Sequence, residues 1–227
     1  AVSAREVYGA VVVHGDARSN VLLDTLRLER AARVLLGTGD VVVNLDVAAR
    51  IVHRDPKLSR STVVHVSNLH LMRVIGRTRV ARECVTFNSQ QIAASHLVKT
   101  ELLEWFQHTR GDDTVVLAGF GRFGQTVLDQ LQRLATGRIG LVVILDVRAT
   151  AHAAAFDEQV GFADYEREVV DGEIGDPLLW QRLESEHRLR ERAPAFVIGC
   201  GDDALNLRTA LATSVRYPDS RIVARVF

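Results

Sequence analysis

Short runs of β-branched and aliphatic residues alternate along the chain with stretches whose apolar positions recur every three or four residues. The runs at Gly9–His14, Arg33–Gly37, Ser61–Ser67, Thr114–Ala118, Gly140–Leu145, Glu168–Val170, Ala195–Ile198 and Arg221–Val226 read as strands. The intervening stretches read as helices, several with their own start signals. Asp176 followed by Pro177 is an N-cap with proline at the first helical position, ahead of Leu178, Leu179 and Leu183. Pro56 and Pro218 each follow a helical pattern and are expected to stop it. Strands that alternate with helices can pair in parallel only through crossovers, so the fold class is α/β with doubly wound parallel sheets.

An internal repeat sharpens this picture. Val11–Leu23 (VVVHGDARSNVLL) aligns with Arg167–Leu179 (REVVDGEIGDPLL), and Arg33–Pro56 aligns with Ala195–Pro218, placing Asn44 on Asn206 and Leu45 on Leu207. The order and the apolar spacing are kept, which predicts two related Rossmann-like lobes. The second copy has two strands and a helix ahead of its VVDGE segment, whereas almost nothing precedes VVVHGD. The first lobe is therefore expected to be incomplete at its N-terminus, lacking a first strand, a glycine loop and a second strand that would lie upstream. The expected division is a partial first lobe over 1–87, connecting helix or helices over 88–112, and a second lobe over 113–227. In the connecting segment, Asn88 or Ser89 is the N-cap candidate and Ile92, Leu97, Leu102, Leu103 and Phe106 form the apolar positions. That apolar surface either packs on its own sheet or faces another subunit.

Composition narrows the function classes. With 227 residues and 47% apolar content the chain is globular, and its 28 basic residues cancel its 28 acidic ones. This balance argues against a nucleic-acid partner. Lys57 and Lys99 are the only lysines, which limits lysine-based catalysis. Cys84 and Cys200 lack paired metal-site spacing and read as free thiols. There is neither a long apolar run nor a secretory pattern, so a soluble, cytosolic chain is expected.

The chemistry concentrates in VVLAGFGRFGQTVLDQL. Gly119, Gly121 and Gly124 form a G-x-G-x-x-G pattern between an apolar strand and an amphipathic helix. Gly119 permits a tight turn, Gly121 lets the backbone approach a pyrophosphate, and Gly124 lets helix and strand pack closely. Amides at the helix N-terminus would meet the phosphates. Asp146, twenty-two residues after Gly124 at the end of GLVVILD, is placed to accept ribose hydroxyls. The loop residues Phe120, Arg122 and Phe123 and the strand-end residues Val147 and Arg148 complete the expected contacts; Arg148 could also accept a 2′-phosphate. Asp171, Gly172 and Glu173, with Gly199 and Cys200, are expected to border the adenosine half of the crevice. The competing reading is a glycine-rich turn that keeps the fold and has lost its ligand.

Other candidates read as structural. His14, His53, His65 and His70 show no ligand spacing, so no metal site is expected. Asp202 and Asp203 could hold a divalent cation, but a strand end before a helix favours an N-cap. Trp105 and Trp180 are expected to pack on helix surfaces.

AGFGRFGQ, LD, VVDGE, GCGDDALNL and RYPDSRIVARV, in that order, resemble the regulator-of-potassium-conductance (RCK) domains, also called Trk- or KTN-type nucleotide-binding domains. VVHGDA, GTGDVVVNLDVAARIVHRDP and VVHVSN extend the likeness through the first lobe. The resemblance implies a tandem, non-catalytic regulatory part of a potassium channel or transporter. It implies NAD(H) or an adenine nucleotide as ligand at the second lobe, with Gly119, Gly121, Gly124 and Asp146 as contacts. It further implies assembly with itself as a dimer or ring, and attachment to the cytoplasmic face of the membrane through a pore-forming part outside this chain. Glu173 stands where the family often has aspartate, and the family's C-terminal subdomain does not follow within this sequence. The alternative is an NAD-dependent oxidoreductase. Against it, no tyrosine is followed four residues later by lysine, and no substrate domain follows the last strand.

Overall fold

The computed structural model describes residues 9–76, 78 and 82–226, which form two compact units divided between Ser89 and Gln90. The side chain of His70 and the chain ends 1–8 and Phe227, included in the expected lobes, lie outside the described residues.

The first unit contains a three-stranded parallel sheet in the order β1 (Val34–Leu36), β2 (Thr62–His65), β3 (Val85–Phe87). Helix α1 (Asn20–Thr25) is capped by Ser19, and α2 (Val41–Arg54) by the Asp40 carboxylate, which accepts from the amides of Val42 and Val43. Val47, Ala48, Ile51 and Val52 recur on one side of α2 and are buried against Val64, Val66, Leu23 and Leu58. A third helix, α3 (Leu69–Ile75), is capped by Asn68.

Two sequence expectations are corrected here. Gly9–His14 is not a strand: Val11 is 87% and Val13 53% exposed, and the segment does not join the sheet. Val85–Phe87, not among the expected strands, supplies an edge strand instead. Pro56 follows the end of α2, as expected, but it also opens a 3₁₀ helix over Pro56–Ser61.

The second unit begins with a single helical run. Helix α4 (Ser89–Leu97) passes through a π-helical turn (Val98–Leu102) into α5 (Leu103–Gln107). The wider turn keeps Ala94, Leu97, Val98, Leu102 and Phe106 on one buried stripe, packed on the unit's own sheet, while Ile92 is 60% exposed. Five parallel strands follow in the order β6-β5-β4-β7-β8, with β4 at Asp113–Ala118, β5 at Ile139–Asp146, β6 at Glu166–Asp171, β7 at Ala195–Ile198 and β8 at Arg221–Ala224. Helices α6 (Arg122–Leu134), α7 (Ala149–Gln159), α8 (Pro177–His187), α9 (Leu189–Arg192) and α10 (Asp203–Arg216) make the crossovers.

β4, every residue of which is buried, divides the core. Val115 and Leu117 face Val127, Leu128 and Leu131 of α6, and Val116 and Ala118 face Trp180 and Leu183 of α8. Trp180 thus belongs to the core rather than to a helix surface, its indole N–H donating to the Ile174 carbonyl. Among the described residues no helix is long and apolar enough to cross a membrane.

Candidate functional site

The strand order reverses between β4 and β7, and the crevice at such a point, outside the carboxyl ends of the strands, is where open parallel sheets bind ligands. Register brings the expected residues to this edge: Ala118 pairs with Leu145 and with Ile198, and Asp146 pairs with Asp171. The ladder continues one step past the strands, through Gly119 N–H to Leu145 O, Gly199 N–H to Ala118 O and Gly172 N–H to Asp146 O.

The three loop glycines differ in what requires them. Gly119 has φ +99°, and a Cβ there would stand 2.6 Å from the amide nitrogen of Cys200. A Cβ on Gly124 would stand 2.3 Å from the Gly119 carbonyl oxygen. Both glycines are demanded by the protein's own packing. Gly121 has an ordinary extended conformation, and a Cβ there would meet nothing within 4 Å. It is the N-cap of α6, a helix whose N-terminus receives no side-chain cap. By contrast α2, α8 and α10 are capped by Asp40, Asp176 and Asp202. α6 therefore presents first-turn amides and the positive end of its dipole toward open space, an arrangement suited to an anion.

Asp146 is nearly buried and already engaged. One oxygen accepts from Phe120 N–H at 2.8 Å, the other from Arg148 N–H at 2.9 Å, with His152 Nδ1 3.3 Å from the latter oxygen. The carboxylate thereby holds the glycine loop to the tip of β5. With four lone-pair positions, it retains capacity for a further donor. Asp171 is likewise occupied, accepting from the Thr150 amide at 3.1 Å and hydroxyl at 2.5 Å, so it serves as a remote cap for α7. The Thr150 hydroxyl, and then its amide, hold the Asp171 carboxyl below the usual carboxylate range.

The remaining expected contacts separate into groups. The Phe120 and Phe123 side chains are core residues; Phe120 packs edge-on to Phe156, and Phe123 lies under the Arg225 guanidinium. Only their backbone reaches the loop surface. Arg122, Val147 and Arg148 are exposed. Cys200 exchanges two hydrogen bonds with Asn206, its amide donating to Oδ1 and its carbonyl accepting from Nδ2, and Gly199 abuts the Phe123 ring. Glu173 lines a groove of about 650 Å³ between α8 and α10, with Trp180, Arg208, Arg216 and Tyr217. Asp202 is an N-cap, accepting from Leu205 N–H. Cys84 and Cys200 are free thiols, and burial pushes the Cys84 thiol up.

Two participants carried no motif, and a third was marked by the repeat. His152 and Thr150 reach the site by tertiary contact alone. Asn206 is fully buried and bridges the Cys200 amide and carbonyl to the Arg225 carbonyl. Asn44, its repeat counterpart, makes the same set: it accepts from Thr38 N–H and donates to the carbonyls of Thr38 and His65. The alignment of the two asparagines was the signal for this role.

Among curated proteins none matches the chain. Among solved structures it is similar to a GsuK channel (18% identity, TM-score 0.65, 98% of this chain and 50% of that one) and to GsuK bound to ADP (18% identity, TM-score 0.64, 99% and 51%). A GsuK RCK domain gives 14% identity and a TM-score of 0.64, covering 99% of this chain and 61% of that one. The chain thus spans about half to three-fifths of the length of these proteins, and at such identities the likeness establishes the shared fold. Residues 115–226, which contain the glycine loop and the second sheet from Val115 onward, match the TrkA-N domain model.

Proposed function

We propose that this chain is a non-catalytic regulatory module of a potassium channel or transporter, with an adenine nucleotide or NAD(H) bound at the crevice of its second unit. The observation that carries this reading is Gly121: α6 starts there without a capping side chain and beneath open space, although nothing in the protein's own packing asks for glycine. A phosphate would supply the missing acceptor. The TrkA-N match and the likeness to an ADP-bound GsuK support the same ligand class. Asp146 would receive a ribose hydroxyl on its free lone pairs, and exposed Arg122 and Arg148 would stand at the phosphates and the ribose.

The oxidoreductase alternative calls for an acid or base aimed at the crevice. Asp146 is instead engaged with the backbone of Phe120 and Arg148, with His152 Nδ1 at 3.3 Å, which favours holding over proton transfer. As a regulator, the module would act through a different affinity for two arrangements of a larger assembly, joined to a pore on the inner face of the membrane. Leu207, Leu211 and Val215 form an exposed apolar stripe along α10, which suits self-association into a dimer or ring. The asparagine bridge shared by both units supports reading the chain as a tandem of related lobes, the first covering 1–87 and the second 113–227.

The test is calorimetric titration of ADP, ATP, NAD and NADH into the full chain and its Gly121→Asp variant. An aspartate there caps α6 and sets a negative charge where a phosphate would lie. Saturable binding that the variant loses, with its far-UV spectrum unchanged, supports the proposal. Binding retained in the variant, or no binding of any of the four nucleotides, overturns it.

A further inference from the structure

We infer that the second unit carries a divalent transition-metal site, suited to Zn²⁺, formed by Glu168, Glu186 and His187. Each of these residues offers a ligand atom, and the three atoms lie within 4.8 Å of one another. They come from two elements: Glu168 from the middle of edge strand β6, Glu186 and His187 from the last turn of α8. Glu168 precedes Asp171 by three residues, which places it about 10 Å along the strand from the carboxyl edge. The site is therefore separate from the glycine loop and does not depend on nucleotide binding there.

A second observation points to a ligand. Nε2 of His187 is shielded from solvent and has no hydrogen-bond partner among the described residues. A buried, unsatisfied polar atom in a folded protein calls for an explanation, and an ion is one of the standard ones. Glu168 and His187 are half-buried while Glu186 is exposed, so an ion would have an entry path from solvent. Glu186 accepts from Arg182 at 3.0 Å through Oε1, which holds the carboxylate near the end of the helix and leaves Oε2 available.

The donor set selects the ion class. Two carboxylates neutralise a divalent charge, and a neutral imidazole suits zinc and its first-row neighbours better than calcium or magnesium, which prefer oxygen alone. No thiolate is present, which disfavours copper(I). Three protein ligands leave a fourth tetrahedral position for water. The physical consequence would be a link between the end of α8 and the edge of the sheet, where among the described residues β6 has a strand neighbour on one side only.

The experiment is titration of Zn²⁺ by calorimetry, and of Co²⁺ by visible absorption, into the chelator-treated full chain. His187→Gln, Glu168→Gln and the Cys84→Ser/Cys200→Ser double variant are titrated in parallel, each checked by circular dichroism. The expected result is one equivalent bound, weakened about tenfold or more in each of the first two variants and unchanged in the double cysteine variant. The Co²⁺ spectrum should lack a thiolate charge-transfer band. No binding by the wild-type chain, binding that survives both His187→Gln and Glu168→Gln, or binding lost with the cysteines would each overturn the assignment.

Discussion

The three loop glycines should separate cleanly when each is given a side chain, because only two of them are confined by neighbours. In Gly124→Ala, the new Cβ starts 2.3 Å from the Gly119 carbonyl oxygen and 3.2 Å from its carbon, so about 1 Å of backbone movement is needed to restore ordinary contact. That movement is resisted, since Gly119 N–H is bonded to Leu145 O and Phe120 N–H to Asp146. Overpacking of this kind costs about 1–3 kcal/mol, against at most about 1 kcal/mol regained from alanine's better helix propensity. Gly119→Ala adds backbone strain of about 1–3 kcal/mol at φ +99° to a 2.6 Å approach to Cys200. Gly121→Asp meets no atom, caps α6 and complements its dipole, for a gain of roughly 0.5–1 kcal/mol. The assay is urea denaturation followed by tryptophan fluorescence. Both tryptophans of the chain, Trp105 and Trp180, lie in the second unit, so the signal reports that unit alone. With a slope of about 2 kcal/mol per molar, a 2 kcal/mol loss lowers the midpoint by about 1 M. Equal midpoints for the Gly119→Ala and Gly121→Asp variants, or a Gly121→Asp midpoint below wild type, would refute the reasoning.

Asn206→Ala removes three hydrogen bonds, to the Cys200 amide and to the Cys200 and Arg225 carbonyls, of which the Cys200 carbonyl keeps Arg225 Nη2 as donor, and should cost about 1–3 kcal/mol by tryptophan fluorescence. Asn44→Ala should leave that fluorescence transition in place while speeding proteolysis of the first unit. Thr150→Val removes the hydroxyl that depresses the Asp171 pKa. That depression stabilises the fold above the ordinary carboxylate pKa and is lost as pH falls through the lowered value, so the variant should lose less stability on acidification, with the Asp171 carboxyl titrating higher by NMR. Burial pushes Tyr217 up to about 12. Its contribution is complete below the unfolded value near 10 and declines as pH rises toward 12. Its hydroxyl makes no well-formed hydrogen bond among the described residues, although Glu184 and Arg216 stand near it, so Tyr217→Phe should be close to neutral at pH 7 and should flatten the alkaline decline in denaturation midpoint.

The alternation of strands and helices was legible in the sequence because buried parallel strands are written as continuous apolar runs, as in Val115–Ala118 and Leu141–Leu145. Caps such as Asp176 and Asp202 were legible because they act within three residues of themselves. What failed was whatever depends on a distant partner. Gly9–His14 has the composition of a strand but joins neither sheet among the described residues, while Val85–Phe87, not among the expected strands, pairs with β2. Within the candidate site, spacing from the glycines pointed to Asp146, but its bond to Phe120 spans twenty-six residues that no local pattern encodes. Asp171 accepts from Thr150, twenty-one residues away, and Glu173 lines a groove between α8 and α10, arrangements that no local pattern encodes. Glu168 and the Glu186–His187 pair lie eighteen residues apart in the chain, on a strand and a helix whose packing alone joins them.

The position of Asp146 carries one more consequence. A single carboxylate fastens the glycine loop through Phe120 and the start of the next crossover through Arg148, and lies 3.3 Å from His152 in the first turns of α7. A donor or a charge arriving at the open edge of Asp146 is therefore felt in all three at once, so that a contact with one atom becomes a change in the stiffness of a whole rim.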